Sequence, residues 1–369
     1  MTWITNFEAP YRRPIWEDLG RTFRLRVLLL ENNENLRRYR STNRPRDWEA
    51  GRHSRSYRVS FLKSLAVRRG ETAFYLLTWN LFLPRGGIVV LGGWESPVYW
   101  QALFLAWLRG ARLVGFYEST AATNRFSTGP IASARAWFFR RLDAIVVPGD
   151  ESEDAIRGMG VRPSRIFKGF NPADGAAIER VVAAATRPQN ENGHRFLFVG
   201  QLIERKNVES VIVAFSEIRN PGDKLVIVGD GDRRPALEQL VNELGLDERV
   251  DFAGYETAEG AFRTMALSHT LVMPSHSEVW GMVVVEAMLA GCHVVVSKAA
   301  GVAAAVAEMP GVFFSEPTVE TVGAAMAESR RSWSGSVQRP ELSALNASAF
   351  ADVFRKAFRA ASDTGLRAS

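Results

Sequence analysis

The chain has 369 residues, of which 46% are apolar and 23% charged, with one cysteine and a net charge of +6. This length asks for two domains rather than one core, and the composition is that of a soluble globular protein. The lone Cys292 excludes an internal disulfide framework and fits a reducing compartment. No run of about 18 apolar residues is present, so no membrane-spanning helix is expected. The first residues, MTWITNFEAPYRR, lack the layout of a signal peptide, so a cytoplasmic location is expected.

Charge is unevenly placed. Residues 1–172 carry 27 Lys/Arg against 15 Asp/Glu, a balance of +12, and the rest of the chain has a balance of −6. The first half is therefore expected to face something anionic.

In chain order, the first half alternates strand and helix patterns. Short apolar strands are expected at WITNF (3–7), RLRVLLLE (24–31), GIVVLGG (87–93), ARLVGFY (111–117), DAIVVPG (143–149) and RIFKG (165–169). Helices are expected to about Arg21, over 72–83, over 97–108, over 131–141 and over 152–159. Residues 32–58 read as polar, Arg-rich and irregular. Residues 170–194 read as a linker with one helix inside. The second half repeats the alternation with strands at 195–200, 224–230, 250–254, 270–274, 293–297 and 311–314. Its helices are expected at about 207–219, 233–244, 257–267, 281–290 and 301–308. Strands alternating with helices at this spacing predict parallel, doubly wound sheets. The tail carries Phe350, Phe354 and Phe358, four apart, which puts all three on one helix face.

Ligands in such sheets bind outside the carboxyl ends of the strands, so the residues there are the candidates. Gly200 and Gln201 end one strand, and Arg205 with Lys206 opens the next helix. Two cations beside a glycine turn suit a diphosphate. Gly229-Asp230-Gly231 ends the next strand. A dinucleotide fingerprint would need glycine three positions later, and Arg234 stands there. The two glycines would still let a ligand approach the backbone closely. Tyr255 follows Gly254, where a nucleobase could stack. In PSHSEVWGMVVVEAMLAG (274–291), Glu278 falls in a loop and Glu286 on a helix that starts near Gly281. The free N–H groups of a helix start form an anion site. An acid on either side of it suits a nucleotide sugar, which has a phosphate between two hydroxyl-rich ends. In the first half, Tyr11 and Arg12, then Trp94, then Glu118 follow strands. A carboxylate at Glu118 could orient an acceptor hydroxyl or act as a base, and could equally be a helix N-cap acid or a salt-bridge partner. Arg205-Lys206 could be an exposed pair capping a turn, and Glu278 with Glu286 a solvated loop acid and a helix-surface acid. The five histidines have no ligand spacing, and no metal site is expected.

Three stretches together, FVGQLIERKN, KLVIVGDGD with VDFAGY, and PSHSEVWGMVVVEAMLAGCHVVVS, resemble the retaining glycosyltransferases of the large family four, with its Glu-x7-Glu signature. NFEAPYRRPIW, GGWESP, FYESTAATNRF and LDAIVVPGDES agree more loosely. The resemblance implies an α/β protein of the GT-B class, with two Rossmann-like doubly wound parallel-sheet domains facing a cleft. The expected division is an acceptor domain over 1–172, a nucleotide-sugar donor domain over 173–340, and a C-terminal helix over 341–369 packing back on the first. It also implies roles. Glu286 would hold the ribose hydroxyls, and Glu278 would contact the donor sugar. Gly281, Met282 and Val283 would offer N–H groups to phosphate or sugar. Arg205 and Lys206 would neutralise the leaving diphosphate without a metal or other cofactor, and Tyr255 would sit by the base. Gln201 stands where the family often has Arg, and Glu118 where many members have His.

The expected reaction is transfer of a hexosyl group from a nucleotide sugar to a hydroxyl acceptor with retention of configuration. Glycolipids, polysaccharide precursors and small glycosides are all open as acceptors. The alternative is a non-catalytic nucleotide-sugar-binding protein on the same scaffold. Residues 37–69 hold eleven Lys/Arg against Asp47 and Glu49, with Tyr39, Trp48, Tyr57 and Phe61 interleaved. A solvated surface is one reading of this stretch, and contact with anionic lipid on the inner face of the cell membrane is another. ARAWFFRRL (134–142) supports the lipid reading, unless Trp137 and Phe138 lie in the core. Nucleic acid is the weakest reading and is not expected as a partner.

Overall fold

The computed structural model describes residues 1–31, 55–69, 72–124, 126–185 and 193–363. Much of the basic 37–69 stretch, including Tyr39 and Trp48, lies outside the described residues, as does most of the 186–194 segment. The chain divides into two units. One is built from residues up to Asn171 together with the C-terminal helix from Ala347, and the other spans Pro172–Asn346.

The first unit carries a seven-stranded sheet in the order β3-β2-β1-β6-β7-β8-β9. Its strands are β1 (Thr2–Thr5), β2 (Arg26–Leu29), β3 (Arg58–Phe61), β6 (Ile88–Leu91), β7 (Arg112–Phe116), β8 (Ala144–Val147) and β9 (Ile166–Lys168). All neighbours run parallel. Parallel strands are covered on both faces, which is why IVVL and AIVV read as unbroken apolar runs. One face packs on the helix Pro97–Leu108, and Tyr99, Ala102 and Ala106 are buried there. The other face is closed by the helices Arg13–Thr22 and Ala347–Asp363. Phe350, Phe354 and Phe358 are fully buried in that second layer. Phe354 stands 4.8 Å from Trp3, and Phe350 stands 5.9 Å from Phe116. The fit is close enough that a Cβ on Gly169 would meet the Phe350 ring at 2.5 Å.

The expected helix over 72–83 is instead a strand, β5 (Thr72–Thr78), paired antiparallel with β4 (Ser64–Arg69). A short apolar run does not distinguish helix from strand by periodicity, and here pairing with β4 decides. The expected helix over 301–308 shrinks to one 3-10 turn, Ala304–Val306. In the helix Gly129–Arg140, Phe138 is in the core but Trp137 is 41% exposed.

The second unit carries a six-stranded parallel sheet in the order β12-β11-β10-β13-β14-β15. The strands are β10 (Arg195–Val199), β11 (Lys224–Val228), β12 (Val250–Gly254), β13 (Thr270–Met273), β14 (His293–Ser297) and β15 (Val312–Ser315). This is the Rossmann order, which reverses direction between β10 and β13. Its helices start at deliberate caps. The Thr257 hydroxyl accepts from Gly260 N at 3.2 Å ahead of Ala258–Leu267. Asp174 accepts from Ala177 N at 3.1 Å ahead of Gly175–Ala184.

Candidate active site

The reversal point of the second sheet places the ends of β10 and β13 side by side, and the candidate cations and acids lie on those two ends. After β10 the chain forms a 3-10 turn, Glu204–Lys206, and then Asn207 in the left-handed conformation (φ 54°). Among the described residues no other non-glycine has positive φ. Such a conformation is costly and persists where its surroundings impose it. The Asn207 amide donates to the Pro274 carbonyl at 3.3 Å and the Pro317 carbonyl at 3.0 Å, tying this turn to the loops after β13 and β15. His276 N donates to the Arg205 carbonyl at 3.0 Å.

The two cations meet Glu278. Arg205 donates to the Ser277 carbonyl at 2.5 Å and lies 3.3 Å from Glu278 Oε2. Lys206 Nζ pairs with the same oxygen. Burial works against charge on this carboxyl, but Lys206 and then Arg205 outweigh it and hold the Glu278 carboxyl below its ordinary range. Glu278 is thus an anion in the free protein, held on its backbone by Gly301 N, which donates to its carbonyl at 3.1 Å.

Gly281 opens the helix Met282–Leu289 at φ 101°, a conformation that favours glycine. The N–H groups of Met282 and Val283 precede the first bond of the helix, which runs from Val284 N to the Gly281 carbonyl at 2.9 Å. Glu286 follows one turn later and is half-buried. Its carboxylate has no hydrogen bond or ion pair among the described residues. Burial alone pushes its carboxyl up from 4.5 to about 7.

The glycines at the end of β11 serve the protein's own backbone. A Cβ on Gly229 would stand 1.8 Å from the Gly200 carbonyl, and one on Gly231 would stand 2.3 Å from the Leu202 carbonyl. The turn after β10 packs closely on both glycines. Gln201, half-buried, lies in that turn, and Tyr255, 44% exposed, follows β12.

In the first unit the sheet reverses between β1 and β6. Arg12, buried after β1, donates to Thr5 Oγ1 at 3.0 Å and pairs with Glu118, which follows β7. Its guanidinium lies 5.2 Å over the Phe116 ring and 5.7 Å over Tyr11. Burial disfavours its charge, and Glu118 more than restores it. The other Glu118 oxygen accepts from the Asn171 amide at 2.9 Å. Arg12, Tyr11 and Glu118 are thus brought together. Trp94 carries the Arg135 guanidinium 5.5 Å above its ring, on a different contact set. Asn171 and Asn207 were not among the sequence candidates. Each acts through a partner at least 53 residues away, and no local pattern marks such a pair. Among the described residues no group of three His, Cys, Asp or Glu is placed to hold a metal ion.

Residues 184–331 match the family model of the glycosyl transferases group 1. A lipopolysaccharide core biosynthesis glycosyltransferase of Rhizobium meliloti, LpsD, is 37% identical over 236 residues, covering 63% of this chain and 63% of that protein. A second from the same organism, LpsE, is 28% identical over 203 residues, covering 54% and 56%. The matched stretches span 27 to 63% of the curated relatives' own length. Among solved structures, the Anabaena HepE protein in complex with UDP superposes with a TM-score of 0.64 at 16% identity, covering 97% of this chain and 94% of that one. The fold is GT-B, with two Rossmann-like parallel-sheet domains.

Proposed function

We propose that the protein transfers a hexosyl group from a nucleotide sugar to a hydroxyl acceptor with retention of configuration. The observation that carries this reading is the unpartnered, half-buried Glu286, one turn into the helix that follows the Glu278–Lys206–Arg205 cluster. A buried carboxylate without donors is costly. Two ribose hydroxyls would supply the missing hydrogen bonds. The diphosphate would then lie over the helix start at Gly281, with the N–H groups of Met282 and Val283 pointing at it.

Lys206 and Arg205 take the charge that develops on the leaving diphosphate, so no metal is required for that step. In the free protein both are occupied by Glu278. An incoming diphosphate competes for them and leaves Glu278 facing the donor sugar. The acceptor hydroxyl attacks on the face from which the diphosphate departs. On the first unit, the Arg12–Glu118 pair with Tyr11 is the acceptor-side set, with Glu118 orienting the hydroxyl and Trp94 contributing from its separate contact with Arg135. Two relatives named for lipopolysaccharide core biosynthesis support a lipid-linked saccharide as acceptor. UDP in the HepE complex supports a uridine donor.

The test is a panel of UDP-, GDP-, ADP- and dTDP-sugars scored for thermal stabilisation, followed by product analysis with the donor that binds. Transfer with retained configuration, and its loss in Glu286→Ala, is the expected outcome. Donor binding without transfer or hydrolysis would make the protein a non-catalytic binder. Unchanged donor affinity in Glu286→Ala would remove the site assignment.

A further inference from the structure

Three adjoining pieces of the first unit leave apolar side chains in water. One is the β4–β5 ribbon. Val67 stands opposite Phe74 in its register, Leu76 lies two residues along from Phe74 on the same face, and Leu65 falls at the register shift between Ser64 and Ala66. All four are exposed. The second piece follows β5, where Trp79 is 67% and Phe82 61% exposed. The third is the helix Pro97–Leu108, which has no charged residue. Its inner stripe is buried, yet Phe104, Trp107 and Leu108 are exposed, Trp107 by 70%. A surface helix ordinarily turns a polar face to water, and this one does not.

These pieces form one surface. Thr78 N donates to Gln101 Oε1 at 3.0 Å, and Gln101 Nε2 donates to the Thr78 carbonyl at 2.7 Å, fixing the ribbon to the helix. The Arg109 guanidinium lies 5.5 Å over the Phe82 ring. Trp100 stacks on Trp137 of the next helix at 5.7 Å, and Arg141 lies 4.7 Å over Trp137. Contiguous apolar surface of this extent is uncommon on a monomer and marks an interaction site. A two-stranded ribbon with one face in water is also marginal by itself.

Charge selects the occupant. From Arg55 to Arg112 there are eight Lys/Arg and only two acids, Glu71 and Glu95. Lys63, Arg85, Arg109 and Arg141 are exposed around the aromatic surface. A second copy docked face to face would set these like charges against each other. Three of the exposed aromatics are tryptophans, which settle at the boundary between headgroups and acyl chains. No described helix is long and apolar enough to cross a membrane. We infer that this face, the β4–β5 ribbon with Trp79, Phe82 and the outer stripe of the helix Pro97–Leu108, seats the protein on an anionic lipid bilayer. The aromatics enter the headgroup boundary and the rim cations meet lipid phosphates.

The experiment is co-sedimentation of the full chain with vesicles of phosphatidylcholine, with and without phosphatidylglycerol. It needs no sugar donor, so its outcome is separate from that of the transfer reading. Binding to the phosphatidylglycerol vesicles and little binding to pure phosphatidylcholine is expected. The Trp79→Ser/Trp107→Ser double variant should lower partitioning about a hundredfold, roughly tenfold per buried aromatic. Lys63→Glu/Arg85→Glu keeps the aromatics and should lower it at least about tenfold, erasing the preference for anionic lipid. Far-UV circular dichroism and donor-induced thermal stabilisation serve as folding controls. Failure of the parent protein to bind either vesicle overturns the inference. So does binding by both variants equal to the parent's, or a dimer in sedimentation that the tryptophan variant dissociates.

Discussion

Replacing Glu286 with glutamine should make the free protein more stable and the donor complex much weaker, and both effects should follow pH. Burial raises the Glu286 carboxyl from 4.5 to about 7. The folded protein therefore holds this proton more tightly than the unfolded chain does. Stability falls as pH rises from about 4.5, and the full cost is present above about 7. At 1.36 kcal/mol per pKa unit the cost tops out near ~3 kcal/mol. Partial exposure of the group trims this to about 2 kcal/mol, or a thermal midpoint some 4–8 °C higher for Glu286→Gln at pH 8. Below about pH 4 variant and parent should melt together. Donor binding has the opposite requirement, because only the carboxylate accepts two hydroxyl hydrogen bonds. Affinity should rise about tenfold per pH unit up to 7 and then level off, with close to one proton released. Loss of two charge-assisted hydrogen bonds should weaken donor binding in Glu286→Gln at least about a hundredfold. Calorimetry in two buffers of different ionisation heat measures the proton count directly. A flat affinity between pH 5.5 and 7.5 with no proton release would refute the assignment of Glu286 to the ribose.

Phe354→Ala removes a fully buried ring set between Trp3 and Phe116 and should cost about 3–5 kcal/mol. In thermal unfolding the first unit should melt early while donor-induced stabilisation of the second persists. Gly229→Ala should abolish donor binding in calorimetry without unfolding the chain, because its Cβ would displace the Gly200 carbonyl and the cation-bearing turn behind it. His293 is held below its ordinary 6.5, first by burial and then by Arg339, against the opposing Ser329 carbonyl. The unfolded chain takes up this proton more readily, so stability should fall as pH drops below 6.5. An NMR titration of the His293 ring with a midpoint at or above 6.5 would contradict this.

The second unit was largely legible in the sequence because its strands are short apolar runs bounded by glycine turns, and its helices sit between them at regular spacing. The first unit was less so around the stretch TAFYLLTWNLFL. Between Thr72 and Thr78 the residues AFYLL show no polar alternation that would reveal a period of two, and the strand partner that fixes the stretch, Ser64–Arg69, pairs through a register with a bulge. The same misreading hid the exposed aromatic face, because an apolar helix over 72–83 would belong in the core. The phenylalanines of the tail read correctly as one helix face, since spacing alone carries that information. What they pack against does not follow from spacing. It is set by Trp3, Phe116 and Phe23, more than two hundred residues earlier in the chain.

The two acids of the central segment show where local reading stops. Glu278 and Glu286 are the same residue type, a few positions apart, and nothing nearby distinguishes their chemistry. Their states differ because of groups elsewhere. The strand order β12-β11-β10-β13-β14-β15 sets the end of β10 beside the end of β13, and this delivers Lys206 and Arg205 to Glu278 from 72 and 73 residues away. Glu286, on the helix behind, receives no cation among the described residues and is left to burial. One acid is therefore charged and paired before any ligand arrives, and the other is half-protonated near neutral pH and unpaired. On the proposed reading, a diphosphate must compete with Glu278 for its cations, whereas ribose hydroxyls compete at Glu286 only with its proton, which is gone above about pH 7. Nucleoside recognition should then come first and charge transfer to the diphosphate second, an order that the sequence motif alone does not contain.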